Sequence, residues 1–166
     1  MKNIPIKLFS ATLALAASLL ILPGCGSTNP EEEGYAAMQA GEYQSALDLL
    51  SEALENAESG SAKAHELSVA RCQTMAHLDA AASKDVFLGL SENGLALTRK
   101  DYENMASELM GITAYEEAAH VIAGGIDTFT DSTRLPKYLI KLKKLAASGD
   151  APGLSSTLTG LGYGGD

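Results

Sequence analysis

The sequence predicts an all-α protein, and three kinds of observation support this prediction. Residues that cap helices recur along the chain. Strand patterns are weak, and only the stretch 127–130 (DTFT) has β-forming character. Glycines also divide the chain into segments of roughly one helix each, as glycine does just past helix ends. These glycines are Gly41, Gly60, Gly94, Gly111 and Gly149.

Three helix starts are indicated by capping residues. Asn29 is a preferred N-cap residue and precedes a proline, which suits the first helical position. Thr98 and Asp101 come close to a capping box, and Thr113 and Glu116 have the complete pattern. We therefore expect helices to begin just after residues 29, 98 and 113.

Residues 1–24 have the organisation of a secretory signal peptide. Lys2 and Lys7 give a positive start, and residues 8–22 form an uncharged, largely apolar run. A transmembrane anchor is the rival interpretation. It needs about 20 apolar residues, and this run has 15 before Pro23. A cleaved signal peptide is therefore preferred.

The end of this run resembles the lipobox of bacterial lipoproteins. Leu22, Pro23, Gly24 and Cys25 supply its aliphatic, variable, small and cysteine positions. The resemblance implies that Cys25 receives a diacylglyceryl group, that the chain is cut after Gly24, and that the new amine is acylated. Several acyl chains give the stable anchor that one chain does not. Residues 25–28 would then be the lipidated cysteine and a short tether to the membrane.

The same resemblance implies a location in the bacterial cell envelope. Gly26 stands where lipoproteins retained in the inner membrane of diderm bacteria carry aspartate, so we expect the periplasmic face of the outer membrane. The alternative is an ordinary cleaved signal peptide with a coincidental cysteine. With Cys25 lipidated, Cys72 has no disulfide partner, and we expect it to pack as a small hydrophobic residue.

The mature chain is expected to be one acidic domain. Loss of Lys2 and Lys7 changes its formal net charge from −9 to −11. Such a chain repels nucleic acid, so we expect no nucleic-acid partner. Since the chain has no tryptophan and only 5% aromatic residues, its core must be thin and built by closely approaching helices.

Small and apolar residues recur with a period of 36 residues, counted from anchors at 41, 77, 113 and 149. Such a recurrence predicts stacked helix pairs, in which small residues allow close approach and larger ones fill the stack. The columns are Gly34, Ala70, Ala106 and Leu142 before the anchors, and Ala46, Ala82, Ala118 and Leu154, then Leu50, Val86, Ile122 and Leu158 after them.

One of these units resembles a tetratricopeptide (TPR) repeat. The segment 41–54 (GEYQSALDLLSEAL) is similar to the turn and second helix of such a repeat, and Gly34 matches the small residue of its first helix. The segment 113–126 keeps part of the pattern, with Thr113 in place of the turn glycine. In the second unit His77 replaces that glycine.

The TPR resemblance implies a short right-handed α–α superhelix. This TPR-like solenoid would contain about four helix pairs over residues 29–163, followed by a flexible tail at residues 164–166. Arrays of this kind form extended surfaces that bind other chains. The alternative fold is a plain helical bundle, which alanine-rich amphipathic helices also form.

No constellation of reactive residues points to catalysis. His65 and Cys72 are seven residues apart and share a helix face, but His77 lies well round from them. The chain contains no HExxH pattern, paired CxxC motif or glycine-rich phosphate loop. We therefore expect no metal, no cofactor and no enzymatic activity.

The charges are divided along the chain. Residues 31–66 hold nine acidic residues against Lys63, whereas residues 132–149 hold five basic residues and no acidic one. Four basic residues share one side of a helix, opposite an apolar side that includes Leu135 and Leu142. We call these four the basic stripe: Arg134, Lys137, Lys141 and Lys144. They form either a solvated face or a docking surface for an anionic partner.

Two functional hypotheses follow. The first is a membrane-anchored lipoprotein adaptor that binds a protein or peptide partner in the envelope, with the basic stripe as candidate partner-binding residues. The second is a structural subunit that assembles with copies of itself or with a larger envelope complex and has no separable ligand. In that case the acidic first half and the basic last helix would meet head to tail.

Overall fold

A computed structural model describes residues 29–164, and within this range the chain forms eight α-helices and no strand. The predicted signal peptide and tether, residues 1–28, lie outside the described residues, as do residues 165–166. No helix in the described range has the length and apolar character needed to cross a membrane. The helices are α1 (Pro30–Ala40), α2 (Tyr43–Glu55), α3 (Ala62–Ala76), α4 (Ala80–Glu92), α5 (Arg99–Gly111), α6 (Tyr115–Thr128), α7 (Leu135–Ser148) and α8 (Leu154–Gly160).

The helices are arranged as four consecutive pairs. In each pair the first helix packs on the second, that is α1 on α2, α3 on α4, α5 on α6 and α7 on α8. From α3 onward, the first helices of successive pairs contact one another, and so do the second helices. The fold is therefore all-α and helical-repeat-like, with first helices in one layer and second helices in the other.

Two of the predicted helix starts are confirmed by their caps. The Asn29 side chain accepts a hydrogen bond from the backbone N–H of Glu31 at 3.2 Å, and Pro30 takes the first helical position. At the start of α5, the backbone N–H of Thr98 donates to the Asp101 carboxylate at 2.7 Å, and the N–H of Asp101 donates back to the Thr98 hydroxyl at 3.3 Å. This is a complete capping box.

The predicted capping box of Thr113 and Glu116 is wrong. No side chain caps the start of α6. Thr113 instead takes the left-handed conformation, with φ of 64°, as Gly41 and Gly149 do at the matching anchors with φ of 78°. The chain reverses after α5 and needs a left-handed residue at that turn. Thr113 takes this conformation, so it cannot also take the extended conformation of an N-cap. Gly111, expected just past a helix end, is the last residue of α5.

The second pair is displaced by one residue from the predicted period. Its anchor, His77, is right-handed, with φ of −75°, so α4 begins three residues after its anchor, whereas α2 and α6 begin two residues after theirs. As a result, Ser83 and Phe87 are fully buried, each 0% exposed. The predicted core positions Ala82 and Val86 are half-buried and exposed, respectively.

Small residues bring the helices of the first and third pairs together, as predicted. A Cβ atom at Gly34 would lie 2.9 Å from the Leu50 side chain, so only glycine fits this approach of α1 to α2 without displacing Leu50. Ala46, Ala106 and Ala118 are each 0% exposed. The close approach lets a core with few aromatic residues reach native packing density.

The buried apolar residues form two clusters. The smaller cluster joins α2 to α3 and contains Leu50, Ala53, Leu67 and Ala70. The larger cluster extends from Val69 on α3 to Leu158 on α8. The first pair is therefore fixed to the rest of the array through a small core of its own.

Replacing Thr113 by glycine should stabilise the protein. A left-handed L-residue costs about 1–2 kcal/mol, and the greater freedom of glycine in the unfolded chain offsets about 0.5–1 kcal/mol of that. We expect Thr113→Gly to raise the free energy of unfolding by up to about 1 kcal/mol, measured by urea denaturation. The matched control, Gly149→Ala, should destabilise. A lower denaturation midpoint for Thr113→Gly would show that the threonine side chain contributes more than its backbone strain costs.

The corrected register of the second pair gives a paired test. Ala118 is fully buried, so Ala118→Leu should overpack the core and lower the free energy of unfolding by about 1–3 kcal/mol. Ala82→Leu makes the same change at the half-buried position that the period wrongly placed in the core, and it should cost less. Equal losses in the two variants would contradict the displacement of α4.

Candidate functional site

The basic stripe lies on and just before α7, the first helix of the last pair. All four members are exposed: Arg134 immediately before the helix, and Lys137, Lys141 and Lys144 within it. On the opposite side of α7, Leu135 and Leu142 are fully buried. The predicted opposition of a charged and an apolar side is therefore confirmed.

Arg134 differs from the three lysines because it takes part in the contact between α7 and α5. Its guanidinium lies 3.6 Å from the carboxylate of Glu103, which is 10% exposed. It also donates a hydrogen bond to the Tyr138 hydroxyl at 3.2 Å, and its Cζ lies 5.9 Å from the centroid of that ring. These contacts position the start of α7, and they leave the guanidinium only partly available to a partner.

The three lysines form no ion pair within residues 29–164. Lys137, Lys141 and Lys144 are therefore exposed positive charges on a chain whose formal net charge is −9. Because no carboxylate of residues 29–164 is paired with them, their charges can attract an anionic partner that approaches this end of the array.

Elsewhere, successive first helices are joined by pairs of charged or ionisable side chains, which we call the inter-pair bridges. Two of the lysines occupy the repeat positions of bridging residues, since Lys137 stands 36 residues after Asp101 and Lys144 stands 36 residues after Glu108. Within residues 29–164, neither lysine forms such a bridge. The bridges are Lys63–Glu31 from α3 to α1, His65–Asp101 and His77–Glu108 from α3 to α5, and Arg134–Glu103 from α7 to α5.

His77 joins three helices, a role that the sequence did not reveal. Its ring stacks on Tyr43 of α2, with centroids 3.8 Å apart and planes 10° apart. Its Nε2 lies 2.6 Å from the Glu108 carboxylate on α5. The residue that departs from the TPR pattern at its anchor therefore holds the end of α3 against the first and third pairs.

The His65–Asp101 bridge perturbs the acidity of its carboxyl group. The side-chain nitrogen of His65 lies 2.9 Å from Asp101. Burial by itself raises the pKa of Asp101, but hydrogen bonds from Thr98 and His65 outweigh it and hold the pKa below its usual value. His65 and Asp101 are 36 residues apart, which equals the period of the repeat. This spacing is the signal in the sequence that could have indicated their contact.

At the opposite end of the array acidic side chains predominate. Burial and the carboxylates of Glu66 and Glu31 raise the pKa of Tyr35, whose hydroxyl lies 3.5 Å from Glu66. The charge division predicted from the sequence therefore appears as two differently charged ends, with the first pair acidic and α7 basic.

Cys72, His65 and His77 are engaged in structural contacts. Cys72 is 1% exposed, and burial raises the pKa of its thiol to about 11, so it stays protonated at neutral pH and is a poor nucleophile. As expected, it packs as a small hydrophobic residue. His65 and His77 each contact a carboxylate. Within residues 29–164, no three His, Cys, Asp or Glu side chains are grouped so that they could hold a metal ion.

Comparison of the chain with family models, with curated proteins and with solved structures finds no match. The fold and the surface together define an all-α, helical-repeat-like protein whose last pair presents Lys137, Lys141 and Lys144 with no ion pair within residues 29–164.

The depressed pKa of Asp101 predicts a specific pH dependence. The ionised carboxylate stabilises the fold above the ordinary carboxyl pKa of about 3.9, and this stabilisation is lost as the pH falls through the lower folded-state pKa. Asp101→Asn should therefore lower the free energy of unfolding at pH 7 by on the order of 1 kcal/mol. The difference from the wild type should shrink as the pH falls below about 4.

The control for this measurement is Asp85→Asn, at a side chain that is 72% exposed. It should change stability little at any pH. A wild-type advantage over Asp101→Asn that stays constant down to acid pH would mean that the charge of Asp101 does not contribute.

Proposed function

We propose that the protein is a lipid-anchored adaptor that binds a protein or peptide partner in the bacterial cell envelope. The observation that carries the proposal is the group of three exposed lysines on α7, which form no ion pair within the described range of an otherwise acidic chain. Each exposed charge pair with a partner adds less than about 1 kcal/mol. The lysines therefore act mainly by steering and orienting an anionic partner.

A TPR-like solenoid, rather than a plain bundle, is the form of the fold that we propose. Contacts between first helices of successive pairs, and between second helices, support this choice, since they are what a stack of pairs requires. The left-handed residues Gly41, Thr113 and Gly149 at matching anchors support it further. The stack presents its first helices as one layer, which ends with the lysines of α7.

The anchor is proposed from the lipobox-like residues Leu22 to Cys25. Residues 26–29 would then separate the lipid from α1, with a reach of at most about 14 Å. The first pair would stand close to the membrane, and its exposed glutamates, Glu32 and Glu33, would be repelled by anionic lipid. The lysines of α7 would lie at the other end of the array, where a partner has access to them.

Self-assembly is the second candidate, and the opposite charges of the two ends favour it. One observation opposes it. Lys141 stands 36 residues after Met105 and 72 after Val69, which are 0% and 7% exposed. The matching positions are buried in the inner pairs, so the charge of Lys141 disfavours the stacking of another unit on α7. Salt-sensitive oligomers in sedimentation experiments at increasing ionic strength would support self-assembly, whereas a monomer throughout supports the adaptor.

The anchor is tested by the intact mass of the protein extracted from membranes. We expect a chain that begins at Cys25 and carries acyl groups on that residue. Cys25→Ser should release the protein from the membrane fraction. A soluble wild-type product that begins at another residue would overturn the proposed anchor.

The partner surface is tested by a triple variant, Lys137→Gln, Lys141→Gln and Lys144→Gln. A photoreactive side chain introduced at Thr133, which is exposed just before α7, should cross-link the partner in cells, and the triple variant should reduce the yield strongly. The control adds the same three units of negative charge at exposed sites away from α7 (Gln39→Glu, Ser45→Glu and Ser91→Glu). If the two variants cross-link the partner equally, the lysines are only a solvated face and do not bind the partner.

A further inference from the structure

A groove lies between α7 and α8, at the end of the array. It has a volume of about 410 Å³ and is lined largely by apolar and small side chains. Ile140 at its edge is 54% exposed, more than either Leu78 or Val86, the other exposed large hydrophobic residues of the described range. Its remaining apolar lining includes Ala146, Ala147, Leu158 and Tyr163.

The arrangement of the third and fourth pairs shows what such a groove accommodates. There α7 packs on both α5 and α6, with Leu135 and Leu142 fully buried and Arg134 placed against Glu103. Within residues 29–164, no further helix follows to cover α7 and α8 in the same way. By the same mode of packing, the groove is the surface that a further helix with an apolar side would cover, as α7 covers α5 and α6.

The charges around the groove specify the polar side of that helix. Lys137 and Lys144 stand three residues before and four residues after Ile140, so both are its neighbours on the surface of α7. Lys141 follows Ile140 directly, and none of the three lysines has an ion pair within the described residues. An apolar side chain placed on Ile140 would bring acidic neighbours within reach of these lysines.

We infer that the groove between α7 and α8, with Ile140 and its flanking lysines, is the docking site for an acidic amphipathic helix of the partner. This inference rests on the proposed adaptor function and specifies the class of its partner. Apolar residues of the helix, spaced by three or four positions, fill the groove, and glutamates or aspartates beside them meet Lys137, Lys141 and Lys144.

Two other occupants fit the structure less well. A second copy that stacked head to tail would present α1, whose exposed side carries no large apolar residue to fill the groove. That side is formed by Glu32, Glu33, Ala36, Gln39 and Ala40. An anionic membrane is contacted by apolar side chains that protrude into it, whereas Ala146, Ala147 and Leu158 line a recess.

The probe is a fluorescein-labelled helical peptide with leucines at spacings of three and four and glutamates beside them. Its binding to the purified full chain is followed by fluorescence anisotropy. Ile140→Ser should weaken binding about tenfold, and the triple lysine-to-glutamine variant should weaken it and flatten its salt dependence. Val86→Ser removes an exposed hydrophobic residue on α4 and serves as the matched control. It should bind the peptide like the wild type. All three variants should retain the helix content of the wild type.

A scrambled peptide of the same composition tests the register of the helix. Equal binding of the scrambled peptide, or unchanged binding by Ile140→Ser, would overturn the groove as a helix site. In both cases, lysine-dependent cross-linking of a partner in cells would still support the adaptor function. Binding of phosphatidylglycerol vesicles in place of the peptide, or a dimer that Ile140→Ser abolishes, would instead assign the groove to a membrane or to a second copy.

Discussion

The close approach of helices within each pair is the constraint on which the structure depends. The Leu50 side chain lies 2.9 Å from the position that a Cβ atom on Gly34 would take, and Ala46 and Ala118 are fully buried. A chain with no tryptophan and few aromatic residues has little volume to fill wide gaps, so its helices must come close to exclude water. One pair buries too little surface to be stable, and successive pairs must stack. The candidate binding surface lies on the last pair of the described stack.

Charge is distributed in agreement with this geometry. Where one first helix faces the next, a carboxylate faces a histidine, lysine or arginine, as in His65–Asp101 and Arg134–Glu103. At α7 the same columns hold Lys137 and Lys144, which form no ion pair within residues 29–164. The positions of Lys137 and Ile140 are half-buried one repeat earlier, at Asp101 and Asn104, and exposed on α7. The lysines and Ile140 therefore lie on a surface that is more covered in the third pair than in the last.

The anchors of the repeat show why a correct period still gave two wrong details. Thr113 terminates α5 in the left-handed conformation, so it cannot cap α6. His77 stays right-handed, and the longer turn moves the buried positions of α4 from Ala82 to Ser83. A one-residue change in a turn rotates a whole helix by about 100°. Turn conformation depends on the contacts of the flanking helices, including the stacking of His77 on Tyr43, and these contacts involve residues far apart in the chain.

The sequence by itself determined the all-α class, the helix starts at Asn29 and Thr98, and the opposed charged and apolar sides of α7. Each of these follows from residues within a few positions of one another, since capping and helical periodicity are local. Only the tertiary structure decided that Arg134 is engaged by Glu103 while the lysines are not, and that a groove opens beside Ile140. Those features depend on which helices lie side by side, and that is decided by packing between residues on different helices.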